Sequence, residues 1–285
     1  MVLEQIYPLK LIEKNPLYAL LLGVSYSIIG VGASLLLFPE DPAIVAVAFI
    51  ALIAAPTLSK LLKQEEGIES KKRSFSLINF YKDHKNVFII YLLLFFGIFL
   101  AFSFFALVLP SLATNHIFEN QLNVLYGTKT GQAIFSKTLF LDILRNNLSV
   151  MALCFITSFV FGDGGIFLIT WNASVWGTIF GNLAKTASSH AIQSPSYYFF
   201  IVLAIVFPHM ILEVFSYISS ATAGGIMSKG FLGESFFSKR FKAVTKNTVI
   251  LFAFALLILI IAVVVETFVL NNSSIYSKIV RLSFS

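Results

Sequence analysis

The chain has 285 residues, of which 58% are apolar and only 12% charged, against about 25% charged in soluble domains. That composition excludes a water-soluble globular protein and describes a chain embedded in a bilayer, where length converts into crossings rather than into domains. The net charge of +6 does not indicate a nucleic-acid partner, because the lysines and arginines gather in segments that the topology assigns to the cytoplasm.

Taken in chain order, the first 14 residues, "MVLEQIYPLKLIEK", are mixed in character, and no A-x-A-like site follows the first apolar run, so no cleaved signal peptide is expected. Apolar runs at 17–38, 43–62, 87–110, 147–162, 166–184, 197–226 and 247–270 predict about seven transmembrane helices. The fold class is therefore all-α, a polytopic helix bundle. "PEDP" at 39–42 is a tight turn, which makes the first two runs an amino-terminal helical hairpin over 1–62. A basic linker follows at 63–86, then a five-helix core over 87–285. The fourth run is short. It reaches back toward Leu139 only by taking Asp142, Arg145, Asn146 and Asn147 into the helix, so a re-entrant segment is the alternative there. The segment 111–146 is either a loop or an amphipathic surface helix.

Fourteen of the 20 lysines and arginines lie before the first run, at the end of the second, in 63–86 or after the sixth. The other six are Lys129, Lys137, Arg145, Lys185, Lys278 and Arg281. An odd number of crossings with this bias predicts a cell-membrane protein with a cytoplasmic amino terminus and an extracytoplasmic carboxyl terminus.

Ionisable groups in hydrocarbon cost at least ~2.5 kcal/mol each on insertion scales, so those retained face protein or water. The intramembrane candidates are Asn146, Asn147, Asp163, Asn172, His209, Glu213 and Glu266. In "FPHMILE", Pro208 denies the Ala204 carbonyl its helical donor and predicts a bend just before His209. His209 and Glu213 are four apart and share a helix face. Either the pair satisfies itself and ties helices together, or it builds a polar site for a proton, an ion or a lipid headgroup. Glu266 near the end of the last run either joins that site or snorkels to the interface. Gly177 and Gly181 in "WNASVWGTIFG", and Gly224 and Gly225 in "ATAGG", predict close helix contacts, within the chain or between copies. The single cysteine, Cys154, is a packing residue.

Soluble-enzyme chemistry is absent from the sequence: there is no H-E-x-x-H, no G-x-S-x-G and no G-x-x-x-x-G-K-[ST]. His84, His116 and His190 fall in connections, and one histidine with one glutamate is too few for a closed zinc site. No cofactor and no metal are expected from the sequence, and "GDGG" at 162–165 reads as a turn.

The order of "NN" before a short run, "WNASVWG" in the next, "FPHMILE" with a small-residue run behind it, and Ala262 four before Glu266 resembles the stage II sporulation protein M family of multi-pass membrane proteins, over about 87–270. Members carry glycine after the proline–histidine pair, where this chain has Met210. The resemblance implies that Asn146 or Asn147, Asn172, Pro208, His209, Glu213 and Glu266 match the family's polar signature. It further implies a noncatalytic scaffold in an envelope or membrane-remodelling assembly. Partners on this reading are membrane lipid, other membrane or envelope proteins, and a second copy of the chain, a dimer being favoured. A transporter or channel built on His209 and Glu213 is the alternative from the residues themselves, and an intramembrane hydrolase is a third.

Overall fold

A computed structural model describes residues 12, 14–69, 76–127, 139–162, 165–235 and 238–284. Among these residues there are eleven α-helices and no strand. The seven apolar runs become seven long helices: α1 (Leu17–Leu37), α2 (Pro42–Glu69), α4 (Lys85–Val108), α7 (Leu139–Phe161), α8 (Gly165–Ser189), α9 (Pro195–Gly233) and α10 (Lys239–Asn272). Short helices fill the connections: α3 (Leu77–Asp83), α5 (Ser111–Ile117), α6 (Glu119–Gly127) and α11 (Ser274–Ser283).

Five of the long helices, α1, α4, α7, α9 and α10, are long and apolar enough to cross a membrane, and the apolar part of α2 is the shorter stretch Pro42–Leu58. The more polar α8 is explained by its position. It packs against α2, α4, α7 and α9 and against the short α6 and α11, and it buries Thr170, Asn172, Ser174, Thr178 and Asn182. A helix enclosed by other helices need not satisfy lipid on its surface.

The expected boundaries shift in three places. The fourth run is one continuous helix from Leu139, with Asp142, Arg145 and Asn146 exposed at its beginning and only Asn147 turned inward, so no re-entrant segment is needed. The linker is shorter than 63–86, because Leu, Lys, Gln and Glu, good helix formers, carry α2 on to Glu69. The segment 111–127 is a pair of short helices that close over the α1–α2 turn, where a ring nitrogen of His116 lies 2.8 Å from the Pro39 carbonyl oxygen and Gln121 Nε2 donates to Ala43 O at 3.2 Å. Asp163 and residues 128–138 lie outside the described residues.

The predicted small-residue faces are contacts within the chain. A methyl group on Gly177 would meet the Phe99 carbonyl and Phe102, and one on Gly181 would meet Ser103 O and Ala106, which fixes α8 against α4. Gly224 lies against the backbone of Phe155 and holds α9 on α7. Gly225 is looser: a methyl group there would stand 3.3 Å from Gly162 O at the end of α7. There Gly162 takes φ +73°, a left-handed conformation suited to glycine, and turns the chain into α8. Gly23 and Gly97 bring α1 equally close to α4. Lys185 of α8 donates to Leu109 O just past the end of α4, where a cation meets the negative pole of a helix.

Candidate functional site

Three helices, α7, α9 and α10, pack against one another in pairs. Each contributes polar side chains to the shared seam. On α9, His209, Glu213 and Tyr217 follow one another at intervals of four, the spacing that stacks side chains along one helix face. The helix begins at Pro195, where a missing amide hydrogen costs nothing, and the Ser194 side chain accepts from Tyr197 N at 3.3 Å. It runs unbroken to Gly233 with Pro208 inside it. The Met210 side chain, next to His209 in the chain, is buried in the main apolar core.

His209 is 5% exposed and Glu213 2% exposed, so neither meets lipid or bulk water. Glu266 of α10 reaches them rather than the membrane surface: one ligand-capable atom from each of His209, Glu213 and Glu266 lies within 4.8 Å of the others. The Glu213 and Glu266 carboxyls are hydrogen-bond partners of each other, and the Asn147 side chain from α7 is a partner of both. Asn146 fixes the orientation of that amide. It is exposed, and its Nδ2 donates to Asn147 Oδ1 at 3.1 Å, which leaves the Asn147 amino group to face the carboxyls.

The arrangement is polar and incompletely satisfied. His209 Nδ1, Glu213 Oε1 and Glu266 Oε2 are each buried without a hydrogen-bond partner. A buried orphan of this kind costs roughly 1–3 kcal/mol. Two carboxyls at this separation also require something positive between them, a shared proton or a metal ion. Beneath the cluster the seam is apolar, built from Met151, Cys154, Tyr217, Ala255, Leu259 and Val263. Ser216 Oγ donates to Ala255 O at 2.8 Å and Ser220 Oγ to Met151 O at 2.8 Å, tying α9 to both neighbours. Above it lies α11, whose Tyr276 is near enough to Glu266 to feel its charge. Burial first, then that carboxyl, push the Tyr276 hydroxyl up to about 12, so it stays a neutral phenol at physiological pH.

Of the residues predicted from sequence, Asn147, His209, Glu213 and Glu266 converge, with Pro208 beside them. Asn146 supports the cluster from outside. Asn172 does not join it: on α8 its Nδ2 donates to Leu168 O of its own helix at 2.8 Å. Tyr217, Ser216, Ser220 and Tyr276 were missed. The continued spacing of four from His209 through Glu213 could have found Tyr217, whereas nothing local to Tyr276 announces its neighbour on α10.

Because the two asparagines act in series, their replacement has graded effects. Asn147→Ala removes the donor to both carboxyls and is expected to lower stability by about 2–3 kcal/mol, while Asn146→Ala, which frees only the orientation of Asn147, costs under about 1 kcal/mol. Thermal unfolding of the two purified variants checks the order.

Fold and site together define a polytopic α-helical membrane protein with an acid–imidazole–amide cluster enclosed by three of its helices. The chain belongs to the stage II sporulation protein M family, whose family model matches residues 34–269. That match begins within α1 and takes in all of α2, a wider reach than the motifs between 87 and 270 define. No curated protein and no solved structure matches the chain.

Proposed function

We propose that this protein is a membrane transporter for a small cation, with Asn147, His209, Glu213 and Glu266 as its loading site. The observation that carries the reading is the convergence of four polar side chains from three helices, with three of their atoms unpartnered. Buried ionisable groups that face a bundle interior are the usual means by which membrane proteins handle ions. The scaffold reading comes from the family resemblance, and the small-residue faces that offered contacts to a second copy, Gly177, Gly181 and Gly224, are occupied by contacts within the chain, so they carry no argument for one. The excess of positive charge in the amino-terminal and linker segments favours a cytoplasmic amino terminus. With seven crossings, the site then belongs to the extracytoplasmic half of the membrane, near the start of α7 and the end of α10.

Proteoliposomes of the full chain, assayed against Na⁺, K⁺, Mg²⁺, Mn²⁺ and Zn²⁺ gradients, test it. Flux of at least one cation is expected, falling to the level of empty vesicles in His209→Ala and Glu213→Gln. Background flux for every cation with the wild-type chain would overturn the reading.

A further inference from the structure

Resting on the same cluster as the transport reading, we propose that His209, Glu213 and Glu266 bind one zinc ion, with Asn147 holding the carboxylates and a fourth coordination position left open. Five observations lead there. The donors are one imidazole nitrogen and two carboxylate oxygens, donor types that zinc accepts at about 2.0–2.2 Å, here with one carboxylate more and one histidine fewer than the set of two histidines and a glutamate. Their ligand-capable atoms already lie within 4.8 Å of one another. In a zinc tetrahedron with bonds of about 2.0–2.2 Å, donors stand about 3.4 Å apart, so side-chain adjustments of about 1 Å close the site. Each of the three residues also has a buried polar atom without a partner, which is unusual in a folded interior and is relieved by an ion.

Charge is the fourth. A neutral imidazole, two carboxylates and a divalent ion sum to zero, whereas the groups acting on the Glu213 carboxyl among the described residues are Glu266 and Asn147 and include no lysine or arginine. The last is the support around the donors. Asn147 is a partner of both carboxyls and is itself oriented by Asn146, the outer layer of hydrogen bonds that metal ligands need. Three donors are too few for Ca²⁺, which takes six to eight oxygens, and a histidine does not suit Mg²⁺. His84, His116 and His190 stand in the connections and Cys154 lies in the apolar seam, and among the described residues no fourth His, Cys, Asp or Glu joins the three donors.

The open position lets the ion exchange rather than stay locked, which suits cargo. Full-length protein in detergent, stripped with chelator, dialysed and titrated with ZnCl₂, is expected to retain one zinc per chain by elemental analysis. Substituted with Co²⁺, it is expected to give the intense visible absorption of a four-coordinate ion. Glu266→Gln and Glu213→Gln, nearly isosteric, should each weaken zinc binding by 100-fold or more while preserving helix content and a monodisperse elution profile. Asn147→Ala should weaken it by about 10–100-fold, and Asn172→Ala should leave it unchanged. Absence of zinc from the wild-type chain, or equal retention by the glutamine variants, overturns the proposal. The two readings fail separately: cation flux in chelator-treated vesicles with no zinc bound sinks the zinc site and keeps transport, and stoichiometric zinc with no flux does the reverse.

Discussion

A triple variant carrying His209→Leu, Glu213→Leu and Glu266→Leu is expected to fold, to melt at or above the wild-type temperature, and to carry no cation. The reason is an asymmetry in the energetics of buried polar groups. Removing one member of a buried network strands the others, at a cost of about 3–5 kcal/mol, and Glu213→Leu alone would take one partner from each of Glu266 and Asn147, leaving them only each other. Replacing every ionisable member by an apolar side chain of similar size removes the desolvation penalty as well. Such replacements are neutral or stabilising by about 1–4 kcal/mol. Here three atoms are already unpartnered, against one amino group, that of Asn147, which the leucines would strand while its oxygen keeps the bond from Asn146, so the balance still tips toward the leucines. Thermal unfolding in one detergent, beside the vesicle assay, gives both readouts. If instead the triple variant is less stable than each single one, the cluster is a structural tie between α7, α9 and α10, and its ion-handling role falls.

The other large effect is expected at Gly224. A β-carbon there would stand against the Phe155 carbonyl oxygen and 3.1 Å from both Phe155 C and Phe159 N, all of them backbone atoms of a regular helix that cannot turn aside. Gly224→Val must therefore push α9 off α7. Overpacking of this kind costs about 1–3 kcal/mol and sometimes more, and the backbone obstacle puts this site at the upper end. The displacement has a second consequence, because α7 carries Asn147 and α9 carries Glu213: zinc retention should fall in step with stability. Gly32→Ala is the control, since nothing lies within 4 Å of its missing side chain. It should be neutral or stabilising by about 0.5–1 kcal/mol, the ordinary gain from alanine in a helix. Melting temperatures and zinc content of the two variants decide the matter, and equal behaviour would show that the α7–α9 contact is dispensable.

What could be read from the sequence follows from which interactions are local. Long apolar runs identify spanning helices because the bilayer permits little else, and the paired spacing of His209 and Glu213 identifies their common face. The start of α7 was obscured because Asp142, Arg145 and Asn146 interrupt the run, although all three remain exposed while only Asn147 enters the seam. Glu266 carried two readings, since a glutamate near a helix end can face outward or inward, and its inward turn depends on α9, distant in sequence. The glycines announced close contacts, but whether those lay within one chain or between two depends on the order in which helices pack. That order, with α8 at the centre and α7, α9 and α10 to one side, has no signature in any single segment.

The enclosed position of α8 also bears on how the chain is made. A segment whose surface is polar because other helices will cover it partitions poorly into lipid as it leaves the ribosome. The tight Gly162 turn joins it to α7, so the two are positioned to leave the translocon as a hairpin, with α7 supplying the greasy half. The enclosure of α8 is complete only once α9 and α11, both later in the chain, have packed against it.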